Sequence, residues 1–336
     1  MVAVSVVIPV YNVASFLPRC LDSVLNQTFS DWEAVCVNDG STDASGEILA
    51  EYAARDSRIR VITKSNGGLS DARNVGTAAA RGDYVLYLDS DDFIHRQTLE
   101  ITHKLATQEN ADVVAFRYDR AFHKKLSRML SRGEDIRGLL PAARSREYNA
   151  NKVAFRVTDD MLKYATERNH KIGGRWQLRH CFPVLYLYRR ELIADLPFIR
   201  GIIMEDFPWY CSMMLRRPRT VITNLPLYFY MPNPASILNS SKALRMVESI
   251  ATGVGHVYGL YSRDASPREM RRINREFLWP FIITAMRKTG EITNKLDVDM
   301  ARRGFENLAA TGALDNPPNR RARKYRRRIF DFVNEK

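Results

Sequence analysis

Over the first third of the chain, short apolar runs alternate with longer segments of mixed character. Residues 4–10 (Val4-Ser5-Val6-Val7-Ile8-Pro9-Val10), 32–37, 60–63 and 83–88 are rich in β-branched and aromatic residues. Runs of this kind predict strands covered on both faces, as inside a parallel sheet. Pro9 is expected to stop the first. Between the runs, apolar residues recur at helical spacing: Leu17, Leu21, Val24 and Leu25 within 12–29, then Ile48, Leu49 and Tyr52 within 43–55. A third helix is expected over 69–81, capped by Gly82. Another helix (97–109) and strand (112–116) follow. The alternation predicts an α/β fold with a mostly parallel, Rossmann-like sheet flanked by helices.

Beyond residue 116 the pattern loosens. Residues 117–150 are basic and weakly periodic, which predicts an exposed excursion. Residues 186–192 and 197–203 flank a turn that leads into Met204-Glu205-Asp206-Phe207-Pro208-Trp209, and 220–230 reads as a late strand. From Lys242 onward only helices are expected, with Ile273, Phe277 and Phe281 on one inner face and Pro280 bending the segment. The expected divisions are 1–110, 111–235 and a helical region, 236–336.

The unusual polar clusters, 9–12, 38–43, 64–68 and 89–92, each fall at the end of a predicted strand. Ligands of open parallel sheets bind outside the carboxyl ends of the strands. Carboxylates as close as Asp89, Asp91 and Asp92 repel one another unless a cation or donors offset the charge. Their cluster is therefore the first sign of a metal-assisted site. Neither G-x-G-x-x-G nor G-x-x-x-x-G-K-[ST] occurs at the strand ends. Without such a cradle, a nucleoside diphosphate has to be held through a hard divalent cation, Mn²⁺ or Mg²⁺, bound by oxygen ligands.

Charge and cysteines narrow the setting. The net charge of +13, with Arg and Lys crowding 117–146, 268–275 and 320–328, favours anionic partners. Cys20, Cys36, Cys181 and Cys211 are scattered without a C-x-x-C pair, which predicts reduced thiols in an intracellular setting. No apolar run approaches the ~20 residues that span a bilayer, and 4–10 lacks a signal peptide's basic leader. The chain is expected to be soluble or peripheral. Residues 320–333 interleave Arg320, Arg321, Arg323, Lys324, Arg326, Arg327 and Arg328 with Tyr325, Ile329, Phe332 and Val333. One reading is an amphipathic helix on an anionic membrane; the other is a solvated basic helix packed on its domain.

Taken in order, V-S-V-V-I-P-V-Y-N (4–12), V-N-D-G-S-T-D (37–43), N-G-G-L-S-D-A-R-N (66–74), D-Y-V-L-Y-L-D-S-D-D (83–92) and M-E-D-F (204–207) resemble the motifs of glycosyltransferase family 2. The resemblance is dense over 2–110, thins through 111–170 and returns weakly over 181–240. It implies a GT-A fold with a helical C-terminal extension, and inversion at the anomeric carbon. Carried over, Pro9, Val10, Tyr11 and Asp39 frame a uracil base, with Lys64 and Arg73 near base and diphosphate. Asp89 contacts the ribose with Ser90 beside it, and Asp91 holds Mn²⁺ or Mg²⁺. Gly67, Gly68 and Asp92 lie near the donor sugar. Asp206 is the base and Glu205 its neighbour, whereas Asp43 is expected to be an N-cap.

The family's pattern is not complete. Tyr186 stands where many relatives have a lysine. Trp176 and His180 are candidates for acceptor contact. Gln-x-x-Arg-Trp, the mark of processive membrane synthases, is missing, which favours one sugar per encounter. The expected function is transfer from a UDP-sugar to a hydroxyl of a polyprenyl-linked saccharide in bacterial capsule, exopolysaccharide or lipopolysaccharide assembly. The expected location is cytoplasmic, at the inner membrane face. The alternatives are an inert nucleotide-sugar binder and a polyanion binder. With no recognised motif and an acidic rim, no nucleic-acid partner is expected.

Overall fold

The computed structural model describes residues 2–119, 125, 152–158, 181–233 and 243–334. Most of the basic excursion, together with Trp176 and His180, lies outside them. Their contacts group into two compact units. The first takes 1–160, 183–197 and 217–234; the second takes 161–182, 198–216 and 235–336.

The first unit is built on β1 (Val4–Val10), β2 (Trp32–Asn38), β3 (Ile59–Thr63) and β4 (Tyr84–Tyr87), lying side by side in the order β3-β2-β1-β4 and parallel to one another. Helices α1 (Leu17–Leu25), α2 (Ser45–Arg55) and α3 (Leu69–Ala79) connect them. β1 and β2 are buried at every position, which is why they read as unbroken apolar runs. The sheet continues through β5 (Phe93–Ile94), β6 (Val113–Tyr118), β7 (Phe155–Thr158), β8 (Tyr186–Arg189) and β9 (Thr220–Phe229), with α4 (Thr98–Gln108) before β6. β8 inserts antiparallel between β4 and β6, β6 and β9 are parallel, and β5 and β7 pair antiparallel with β9. The sheet is thus mixed, with β1–β4, β6 and β9 running one way.

Two sequence expectations are corrected here. Pro9 does not stop β1, which runs on to Val10. β1–β4 pairing ends at Val7↔Tyr87, so the N–H that proline lacks falls where no β4 partner remains. Gly82 is not a helix cap either. α3 ends at Ala79 and the next residue, Ala80, is already extended, while Gly82 lies so close to β1 that a Cβ would sit 2.6 Å from the Ser5 nitrogen.

The second unit contains α6 (Asp206–Leu215), which follows the short α5 (Arg190–Ile193) of the first unit in the chain. After it come α7 (Ala243–Asp264), α8 (Pro267–Ile273), α9 (Trp279–Lys288), α10 (Lys295–Ala310) and α11 (Arg320–Asn334). α6 is apolar all round and buried from Phe207 to Met214; it packs on α7. Ile273, Phe277 and Phe281 are buried as expected. A π-helical turn, Asn274–Leu278, takes up the irregularity before Pro280. The proline itself sits in the first turn of α9, where its missing N–H costs least. Among the described residues, no helix is long and apolar enough to cross a membrane.

Candidate functional site

Parallel pairing of β1–β4 sends four carboxyl-end loops to one edge of the sheet. The first two are stapled together. Asn12, at φ 51°, donates its N–H to Ser41 Oγ and accepts from Thr42 N–H at 2.8 Å. Val13 N–H donates to Ser45 Oγ, and Ala14 N–H to Asp43 Oδ2. Asp43 thus serves both sides: its Oδ1 accepts from Ser45 N–H at 3.0 Å at the start of α2, as expected of a cap, and its Oδ2 accepts from the first loop. Burial opposes its charge, but hydrogen bonds from Ser45 and the Ala14 N–H hold its pKa below the ordinary value. Pro9 and Val10 are buried within β1, whereas Tyr11 at its end is 49% exposed.

Asp39 joins the second loop to the third. Its carboxylate is buried and accepts from Gly67 N–H at 2.9 Å, Gly68 N–H at 2.8 Å and the Lys64 ammonium. Lys64 also pairs with Asp71 at 2.7 Å. Burial works against this ammonium, yet hydrogen bonding to Asp39 and Asp71 raises its pKa. The two glycines differ. A Cβ on Gly67 would crowd the Asp71 carboxylate and the Lys64 ammonium, whereas Gly68 has φ +85°, a conformation that disfavours any side chain.

The fourth loop is the acidic turn. Arg73, on α3 and buried, donates to Asp89 Oδ1 at 2.8 Å. Arg19, on α1, donates to the Asp91 carbonyl at 2.9 Å. Asp91 Oδ2 accepts from Asn233 Nδ2 at 2.9 Å. Burial and the charge of Asp89 push the Asp91 pKa up. Ser90 is buried. Asp92, expected beside the donor sugar, is 1% exposed, and its two oxygens accept from Tyr228 Oη and Met231 N–H at 2.5 and 2.6 Å. Burial, then Asp91 and Asp89, drive its pKa well above the carboxylate range.

Sequence reasoning missed Arg19, Tyr228, Met231 and Asn233. A usable signal existed for the last: an asparagine between Pro232 and Pro234, directly after a predicted strand.

In the second unit, Glu205 and Asp206 open α6. Met204 before them adopts φ 62°, strained for a side-chain-bearing residue. Glu205 is buried and Asp206 half-buried, with Asp206 Oδ1 accepting from Phe207 N–H at 2.8 Å.

Among the described residues, no group of three or more His, Cys, Asp or Glu side chains is arranged to hold a metal. A nucleotide-bound Mg²⁺ or Mn²⁺ needs no such cage, since it takes one or two carboxylates and completes its shell with phosphate and water. Asp91, repelled by Asp89, offers a donor set that a cation of this kind fits.

A mixed sheet that carries two stapled loops, an anchored aspartate and an Asp-x-Asp turn on one edge has the layout of a GT-A transferase fold. S. aureus TarS residues 1–349 in complex with UDP shares it: TM-score 0.67 and 17% identity, covering 98% of this chain and 89% of that one. A mannosyltransferase from Pyrobaculum calidifontis in complex with GDP-Man and Mn²⁺ gives a TM-score of 0.53 at 16% identity, covering 98% and 84%. At these identities the likeness is one of fold. The family model for glycosyl transferase family 2 matches residues 5–196, and the chain belongs to that family.

Among curated relatives, the uncharacterized glycosyltransferase EpsJ of Bacillus subtilis is 39% identical over 238 residues, covering 70% of this chain and 62% of its own length. Glycosyltransferase GlyA of Streptococcus pneumoniae is 46% identical over 115 residues, 34% of this chain and 16% of its own. The match thus spans less than two thirds of either relative. The cholesterol galactosyltransferase of Borreliella burgdorferi is 30% identical, covering 83% of this chain and 73% of that protein.

Proposed function

We propose that the protein moves one sugar at a time from a UDP-sugar to a hydroxyl of a lipid-linked saccharide, with inversion, in assembly of a bacterial surface polysaccharide. The observation that carries the reading is the Asp89–Asp91 pair, braced by Arg19, Arg73 and Asn233 on the carboxyl edge beside an exposed Tyr11. Likeness to TarS in complexes with UDP and with UDP-GlcNAc, and to a mannosyltransferase in complex with GDP-Man, supports a nucleotide-sugar donor. The names of relatives, which include chondroitin and hyaluronan synthases of Pasteurella multocida, support a polysaccharide product.

In this reading, Tyr11 and the Asp39 loop bound the base, Asp89 holds the ribose, and Asp91 holds Mn²⁺ or Mg²⁺. When bound, the cation offsets charge on the departing diphosphate. Arg73 keeps Asp89 oriented, and Lys64 keeps Asp39 and the Gly67–Gly68 loop in place. Asp206 takes the proton of the acceptor hydroxyl; Glu205 is its neighbour or a ligand to the acceptor. The setting is the cytoplasmic face of the membrane, where the basic face of α11 attracts anionic lipid.

Asp206→Asn tests the chemical step. It should bind UDP within about twofold of wild type while transfer falls by roughly 10²–10⁴, the worth of a positioned base. The wild-type product should show an inverted anomeric centre by NMR. Full turnover in the variant would move the base elsewhere.

A further inference from the structure

The end of β9 and the residues after it meet the acidic turn across sequence separations of 136 to 142 residues. β5 pairs antiparallel with it, Phe93↔Phe229 and Ile94↔Tyr228, and the two phenylalanine rings stack at 4.6 Å. This pairing lays residues 228–233 alongside the turn. Tyr228 Oη and Met231 N–H then occupy both oxygens of Asp92 at 2.5 and 2.6 Å, while Asn233 Nδ2 donates to Asp91 Oδ2 at 2.9 Å. Asp92, 1% exposed, thereby ties the turn to β9 and leaves Asp91 next to it as the carboxylate available for a ligand.

We infer that Asn233 is a positioning residue for Asp91, fixing one carboxylate oxygen so that the other is presented to the divalent cation. The inference rests on the reading of Asp91 as the metal ligand. Asn233 suits this task in two ways. Its amide is a neutral donor, so it orients the carboxylate without supplying the positive charge that a lysine or arginine would set against the cation. It also stands between Pro232 and Pro234. The following proline confines the Asn233 backbone to extended conformations, and the preceding one has a fixed φ. The side chain is thus offered from a stiff support.

Hydrogen-bond partners of metal-ligating carboxylates are worth about 10–100-fold in metal affinity. Mn²⁺ binding to the full chain with UDP present, followed by the electron paramagnetic resonance of free Mn²⁺, reads this directly. Asn233→Ala should bind Mn²⁺ about 10–100-fold more weakly, with transfer recovering at saturating Mn²⁺. Wild-type affinity in Asn233→Ala, with binding lost in Asp91→Ala, would overturn the role of Asn233 alone. Wild-type affinity in both variants would overturn the metal-ligand reading and the inference with it. A transfer defect that persists at saturating Mn²⁺ together with a lowered melting temperature would make Asn233 a structural residue and overturn the inference.

Discussion

Glu33 shows how one buried carboxylate can organise the edge of the sheet opposite the carboxyl-end loops. Its Oε1 accepts from Ser5 Oγ and Arg81 N–H, both at 2.7 Å, and Oε2 accepts from Arg60 Nη1 at 2.7 Å. Burial penalises the charge, but hydrogen bonds from Ser5, Arg60 and the Arg81 N–H outweigh it and lower the pKa below the ordinary 4.5. A depressed carboxylate pKa stabilises the fold above its unfolded value, and that stability is lost as pH falls through the folded value. Glu33→Gln should therefore cost about 1–3 kcal/mol at neutral pH. The gap from wild type should close as pH drops below 4.5, as measured by chemical denaturation across the acid range. A gap independent of pH would contradict the linkage. At this scale the sequence was legible where a residue acts through its neighbours and blind where it acts across the sheet. Asp43 reads locally as a cap, but its second oxygen serves Ala14. Gly82 reads as a helix stop, but it answers to the approach of Ser5.

Among the elements, the buried parallel strands were the most legible, because covering both faces leaves a continuous apolar run. β5, two residues long, has no periodicity to read, and the insertion of β8 between β4 and β6 depends on pairings the local sequence does not encode. α11 illustrates the limit of an amphipathic pattern. Its apolar side is committed to its own unit: Ala322 and Ile329 are fully buried, and Phe332 meets Phe305 edge-on at 6.1 Å. Arg326 Nε is tied to the Leu314 carbonyl at 2.9 Å. Arg320, Arg321, Arg323, Lys324, Arg327 and Arg328 remain exposed. Membrane contact through this helix would be electrostatic, at about 1 kcal/mol per basic residue, without insertion of its apolar face. Replacing Arg320, Arg321, Arg323, Lys324 and Arg327 with glutamine should lower sedimentation with phosphatidylserine vesicles by more than tenfold, roughly, and leave the melting temperature unchanged. High salt should do the same to wild type. Unaltered vesicle binding would remove α11 from the membrane contact.

For the whole molecule, the two units differ in how much their sequences disclose. The first carries its carboxyl-end loops in an order that matches the family, so candidate donor-side residues could be named before any coordinates. What remained hidden was their bracing, since Asn233 meets Asp91 across a separation of 142 residues. In the second unit the acidic pair of α6 stands out, but the helices around it record packing rather than chemistry. The central claim is that the first unit holds a nucleoside diphosphate through a divalent cation at Asp91. Calorimetric titration of UDP with Mn²⁺ or with chelator, on wild type and on Asp91→Ala, tests it most directly. The account predicts binding in wild type with Mn²⁺, weakened at least about tenfold by chelation or by the substitution. Binding of UDP that is indifferent to both, or absent throughout, would contradict it.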